Sequence, residues 1–116
     1  MDQKPNLIID KTFNFSKEII KLYIELKNDK VYELASQVFR SGTSIGANVE
    51  EAQAGQSKKD FVAKMCIAAK EARETRYWLR LIEETDISQM DVKSYLKEIN
   101  EIINILTKII KSSQDK

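Results

Sequence analysis

Apolar residues return at intervals of three and four along almost the whole chain, in four segments divided by short polar breaks. This spacing puts the apolar side chains on one face of an α-helix, and the strict alternation of a β-strand is absent. Proline occurs only at Pro5, and three glycines leave long stretches without a helix breaker. The pattern predicts an all-α protein with a single domain over residues 1–116.

The four predicted helices span about residues 9–28, 31–54, 57–85 and 88–113. Short connections between long helices make neighbours antiparallel, so we expect an up-down-up-down four-helix bundle. Ser57 and Ser88, each followed by an acidic residue three positions later, have the form of capping boxes. Gly55 stands where a left-handed residue ends the second helix, and residues 111–116 are expected to fray.

The first predicted helix carries apolar residues on more than a narrow stripe. Because two rows cover a wide arc of the helix, we expect it to be buried on more than one side. The two rows consist of Ile9, Phe13, Ile20 and Ile24, and of Phe15, Ile19, Leu22 and Leu26.

The composition excludes most of the catalytic and metal chemistry found in helical bundles. The absence of histidine rules out a Ser-His-Asp triad, an imidazole base and the Glu-x-x-His metal pairs of such bundles. A single cysteine allows neither an internal disulfide nor a cysteine-based zinc site, and we expect Cys66 to be a small buried hydrophobe. We therefore predict a non-enzymatic protein with no cofactor and no small-molecule substrate.

The chain shows no sign of secretion or membrane insertion. Its start lacks the basic and apolar regions of a signal peptide, and no apolar run approaches the ~20 residues of a membrane span. A cytoplasmic location without a membrane partner is expected. The 19 basic against 18 acidic residues argue against a general polyanion binder, at least on average.

A run of small residues lies inside the second predicted helix. Gly42 and Gly46 are four residues apart, so they share one face and let another helix backbone approach closely. A ligand-facing or hinge segment is the alternative. Asn48 and Glu51 on the same helix are predicted to join a polar cluster with Lys70 or Arg73, since buried carboxylates need such partners.

Apolar residues also lie away from the predicted core stripe of the third helix. Ile67, Trp78 and Leu81 fall about 180–240° from Ala72, the centre of that stripe, with Glu71 and Glu74 beside them. Clustered apolar residues of this kind indicate an interface. We predict a subunit interface, with the alternative that an irregular bundle covers this face internally. The predicted interface residues are Tyr32, Phe39, Ile67, Trp78 and Leu81.

Basic and aromatic residues interleave on one flank of the third helix. Lys70, Arg73, Tyr77 and Arg80 share this flank, and Arg76 lies nearer the core edge. Such a flank suits phosphate contact and base stacking in nucleic-acid binding. Ion pairs with Glu71, Glu74 and Glu83, or with acids on a neighbouring helix, are the alternative.

Four stretches of the chain resemble the proteins encoded within intervening sequences of bacterial 23S rRNA genes. The resemblance covers residues 40–82 most closely, and the helical layout matches across nearly the whole chain. The stretches are RSGTSIGANVEEA at 40–52, SKKDF at 57–61, IAAKEARET at 67–75 and YWLRL at 77–81.

This resemblance implies a left-handed up-down bundle that assembles into a ring-like homopentamer. It extends to the accessory protein of diversity-generating retroelements, a pentameric bundle with a basic surface that binds nucleic acid and the reverse transcriptase. The near-neutral charge of this chain departs from that basic character. The family motif includes Gly42, Gly46, Asn48, Glu51, Glu71 and Glu74 of the small-residue run and the polar cluster.

Two functions are compatible with these features. The first is a non-enzymatic oligomeric scaffold that contacts RNA or an RNA-associated protein. The second is a protein-binding adaptor or assembly module that has no role with nucleic acid.

Overall fold

The computed structural model describes residues 4–114, with side chains from residue 7 onward, and these residues form four α-helices without a strand. The helices are α1 (Lys4–Asn28), α2 (Tyr32–Ala52), α3 (Lys58–Glu84) and α4 (Lys93–Gln114). The predicted all-α class is therefore confirmed. The last helix extends to Gln114, and residues 115–116 lie outside the described part. The fraying predicted for residues 111–116 stays a prediction.

The helices pack in the order of the chain, α1 on α2, α2 on α3 and α3 on α4, and a smaller contact joins α4 to α1. Lys64, near the start of α3, pairs with Glu51, near the end of α2. Thr75 lies further along α3 and bonds to Ser41, which lies nearer the start of α2. Contacts of this kind are those that antiparallel neighbours make. The up-down order and the left-handed sense of the whole bundle stay predictions.

The α1/α2 turn is a Schellman motif built on a residue other than glycine. Lys30 has φ 66°, its N–H donates to the Lys27 carbonyl (2.9 Å), and the Val31 N–H donates to the Leu26 carbonyl (2.8 Å). Leu26 and Val31 are both buried and supply the apolar contact of the motif. The turn therefore holds a lysine in a conformation that favours glycine.

The remaining helix ends agree only partly with the predictions. Ser57 accepts from the Asp60 N–H at 3.0 Å and caps α3 as expected. Ser88 Oγ instead accepts from the Met90 N–H, and Asp91 Oδ1 accepts from the Lys93 N–H. These hydrogen bonds form local turns that compete with helix formation before residue 93. The fourth helix therefore begins at Lys93. Gly55 does not have a positive φ, so its predicted left-handed role is wrong.

The core lies between the four helices, but three of the four residues in one predicted row of α1 are outside it. The row of Phe15, Ile19, Leu22 and Leu26 is fully buried. In contrast, Phe13, Ile20 and Ile24 are 63%, 42% and 52% exposed, so the predicted burial of α1 on more than one side is wrong. The physical reason is that α1 packs only against α2 and α4, and no element of the described chain covers its outer face.

Two further features complete the fold. Within residues 4–114, no helix is long and apolar enough to cross a membrane. The α1/α4 contact includes two ion pairs: Lys11 Nζ lies 2.8 Å from Glu98 and from Glu101. The hydrogen bond from Lys11 lowers the pKa of Glu101.

Candidate nucleic-acid interface and apolar face

The predicted basic flank lies on the outer surface of α3. Lys70, Arg73, Tyr77 and Arg80 are all exposed, and Arg76 is half-buried. The Arg76 guanidinium donates to Asn100 Oδ1 on α4 at 2.9 Å, which agrees with its expected position at the core edge. Helical spacing thus brings these residues to one side of the molecule, as 3.6 residues per turn requires.

A groove between α3 and α4 collects part of this flank. Lys70 and Arg73 line it together with Lys111 of α4, over a floor that includes Ala69 and Ile110. An adjoining groove nearer the start of α3 is lined by Lys58, Lys59, Val62, Ala63, Ser113 and Gln114. Among the described residues, these two grooves are therefore lined by five cations and no carboxylate, and we call them together the basic groove.

The carboxylates near the flank bind elsewhere. Arg40 on α2 pairs with Glu71 at 3.3 Å and also with Glu74. In the part of the chain that the structure describes, Lys70 and Arg73 have no acidic partner within 4.0 Å, while Arg80 lies 4.0 Å from Glu84. The alternative of a flank neutralised by Glu71 and Glu74 is therefore not what the structure shows, because Arg40 occupies both carboxylates.

Arg40 organises a polar cluster on the α2/α3 contact that the sequence pattern did not predict. Its guanidinium also donates to Gln37 Oε1 (3.3 Å), and Trp78 Nε1 donates to Glu74 Oε2 (3.2 Å). Deeper in the contact, the Thr75 hydroxyl donates to Ser41 Oγ at 2.9 Å. These bonds satisfy groups that burial would otherwise penalise.

The predicted partners of Asn48 and Glu51 differ from the observed ones. Glu51 pairs with Lys64 at 2.9 Å, and Asn48 Nδ2 donates to the Ser44 carbonyl one turn earlier at 2.9 Å. The predicted cluster of these residues with Lys70 or Arg73 is therefore wrong. The reason is geometric: Glu51 lies on the α2 side of α3, whereas Lys70 and Arg73 face α4.

The two glycines of α2 face α1 and permit its close approach. A Cβ atom at Gly42 would lie 2.8 Å from Ile19 Cγ1, and one at Gly46 would lie 3.1 Å from the Thr12 carbonyl oxygen. Both distances are shorter than ordinary contacts. The structure therefore supports the prediction of tight helix packing at these glycines.

The five predicted interface residues do not form one continuous face. Tyr32 and Trp78 line a groove at the α1/α2 turn, which also includes Ile87. Phe39 lies about two turns further along α2, with its ring 4.7 Å from that of Tyr23 on α1. Ile67 lines a separate groove beside Glu51 and Gly55. Trp78 is half-buried against the core, and Leu81 is half-buried.

The structure exposes a different apolar surface, on α1 and the adjoining edge of α2. Phe13, Ile20 and Ile24 fall within about 40° of one another around α1. Tyr23 joins this row to Phe39, which is 38% exposed. We call these five residues the α1 stripe. Sequence reasoning missed its exposure, although the spacing of its members is plain in the sequence.

Cys66 lies at the surface, away from the core in which it was expected. Cys66 is exposed in the groove with Lys70, so its predicted burial is wrong. Its position on α3 turns the side chain toward the α4 edge rather than the core stripe. No group of three or more Cys, Asp or Glu residues in range 4–114 is placed to hold a metal ion.

A comparison with known families decides the assignment. Residues 4–108 match the family model described as 23S rRNA-intervening sequence protein. The chain belongs to this family. The match extends the resemblance of residues 40–82 to nearly the whole chain.

The intervening-sequence family also contributes a similar solved structure. It is a protein of unknown function from the S23 ribosomal protein family of Bacteroides thetaiotaomicron VPI-5482. The two sequences are 43% identical, and the two structures superpose with a TM-score of 0.86. The match covers 93% of this chain and 98% of the Bacteroides chain. No curated protein matches the chain. The family has no established function, and no catalytic activity is known for it.

Proposed function

We propose that this intervening-sequence protein is a non-enzymatic, self-assembling scaffold that contacts RNA through the basic groove. The observation that carries the proposal is that five cations, and no carboxylate of residues 7–114, line the basic groove. Unneutralised cations on one side attract a phosphate backbone even when the net charge of the chain is only +1. A homopentamer, as the family resemblance implies, repeats this surface around a ring.

The α1 stripe supports the assembly part of the proposal. A row of large apolar side chains on one face of a folded chain favours burial against a second surface. Because the stripe and the basic groove lie on different helix pairs, subunits that associate through the stripe leave the groove open. The same stripe favours the second candidate, a protein-binding adaptor, if the occupant is another protein.

Fluorescence anisotropy with a labelled RNA hairpin between about 50 and 200 mM salt tests RNA contact. We expect affinity to fall steeply with salt. The Lys70→Ala/Arg73→Ala variant removes two phosphate contacts, so the slope of log affinity against log salt should become shallower by about 1.4 to 1.8.

The matched control is Lys21→Ala/Lys93→Ala, which removes the same charge from lysines that already pair with Glu18 and Asp91. It should leave the salt slope unchanged. Equal slopes for the groove variant and the wild type would contradict RNA contact at the groove. A wild type that is monomeric by sedimentation at tens of micromolar and binds no RNA would instead favour the adaptor.

A further inference from the structure

Tyr77 stands at the centre of the exposed flank of α3, and its ring is open to solvent. It is 55% exposed, and the helical spacing places Arg73 one turn before it and Arg80 one turn after. Both arginines are exposed, as is Lys70. An aromatic face between two cations matches the alternation of base and phosphate along a single nucleic-acid strand.

A chain of contacts that crosses to α2 braces the ring of Tyr77. Trp78 meets it edge-on, with the ring centroids 5.2 Å apart and the planes at 70°. The Trp78 indole N–H donates to Glu74 at 3.2 Å, and Glu74 pairs with Arg40. Trp78 itself packs against the hydrophobic core. An edge-to-face contact covers at most one face of a ring, so an exposed aromatic held in this way keeps its other face free and loses little side-chain entropy when a base stacks on it.

We infer that Tyr77 is a stacking platform for one unpaired base of a single-stranded RNA, with the flanking phosphates on Arg73 and Arg80. The inference rests on the proposed RNA contact and adds the class of RNA. In a duplex the base faces are already stacked on one another, so an exposed ring gains nothing from them. Stacking needs only the π-face of the ring, so the Tyr77 hydroxyl is dispensable.

The test compares two labelled single strands of equal length, one of ordinary RNA and one in which every base is removed. Both strands carry the same phosphates, so their affinities differ only by what the bases contribute. We expect the wild type to bind the base-bearing strand about tenfold more tightly, and Tyr77→Ala to lose that preference. Tyr77→Phe should keep it. Trp78 is the sole tryptophan, so its fluorescence should change with the base-bearing strand only.

The matched control is Tyr32→Ala, which removes an equally exposed tyrosine from α2. It should leave the preference for bases intact, and thermal unfolding should show that Tyr77→Ala is folded. A base preference that survives in Tyr77→Ala, or none in the wild type, would overturn the platform. Salt-dependent binding of both strands would then leave the proposed function standing. Absence of binding to either strand at low salt would remove both.

Discussion

The α1/α2 pair and the α3/α4 pair are built from the same kind of amphipathic helix, yet they differ in how closely their helices pack and in the character of their outer surfaces. On the α1/α2 side, Gly42 and Gly46 let two backbones approach, and the outer surface carries the apolar α1 stripe. On the α3/α4 side, the surface is a groove lined with cations. The net charge of +1 adds up the charges of the whole chain, so it describes neither the apolar surface of one pair nor the basic groove of the other.

The largest effect is expected when charge is placed on the α1 stripe. Ile20→Glu/Ile24→Glu should weaken self-association at least 100-fold, because a buried, unpaired carboxylate is strongly disfavoured at an interface. Sedimentation velocity measures this directly. Leu7→Glu is the matched control, since Leu7 is also exposed on α1 but lies about 120° from Phe13. Unchanged association in the double variant would contradict the role of the stripe.

The close α1/α2 contact should not tolerate a larger side chain. Gly42→Val should lower the free energy of unfolding by about 2–3 kcal/mol, because its Cβ would overlap Ile19 and the core must shift. Urea unfolding gives this value. Ser36→Ala, at an exposed position of the same helix, is the control and should change stability little. A Gly42→Val protein as stable as the wild type would show that α1 can move away without cost.

The polar cluster between the two pairs should stabilise less than the glycine contact. Arg40→Met should cost about 1–2 kcal/mol, because it leaves the buried Glu71 carboxylate without its partner. Arg80→Met removes an exposed arginine 4.0 Å from Glu84, and it should change stability by less than about 0.5 kcal/mol. Equal effects in the two variants would show that the cluster is no more than a surface ion pair.

The smallest effect on stability is expected in the connections within the two pairs. A three-residue turn joins α1 to α2, whereas the longer segment 85–92 joins α3 to α4. Lys30→Gly should raise stability by about 0.5–1 kcal/mol, since glycine adopts positive φ without a Cβ penalty. Lys27→Gly, inside α1, should have the opposite sign at about 1 kcal/mol. A loss of stability in Lys30→Gly would mean that the turn is not strained.

Spacing within a single helix was enough to predict much of the fold. The four helices, the Ser57 cap and the shared flank of Lys70, Arg73, Tyr77 and Arg80 all follow from local rules that need no tertiary contact. The family resemblance, confirmed over residues 4–108, was likewise carried by local motifs.

Contacts between helices were not predictable in the same way. Whether Glu71 pairs with Arg40 or with a cation of the flank depends on how α2 and α3 lie against one another, and long side chains such as Lys64 reach across that contact. The exposure of Phe13 and Ile20 depends on how many helices surround α1, which periodicity does not state. Lys111 joins the groove because α4 packs against α3 and places it near Lys70 and Arg73.

Sedimentation velocity with a fluorescein-labelled RNA tests the division between the two surfaces most directly, because one run reports assembly mass and bound RNA together. We predict that Ile20→Glu/Ile24→Glu sediments as a monomer that still binds RNA, with lower affinity and a shallower salt slope because fewer grooves contact each strand. Lys70→Ala/Arg73→Ala should assemble normally and carry less RNA. If Ile20→Glu/Ile24→Glu bound no RNA at all, or if Lys70→Ala/Arg73→Ala failed to assemble, the account of two separate surfaces would be contradicted.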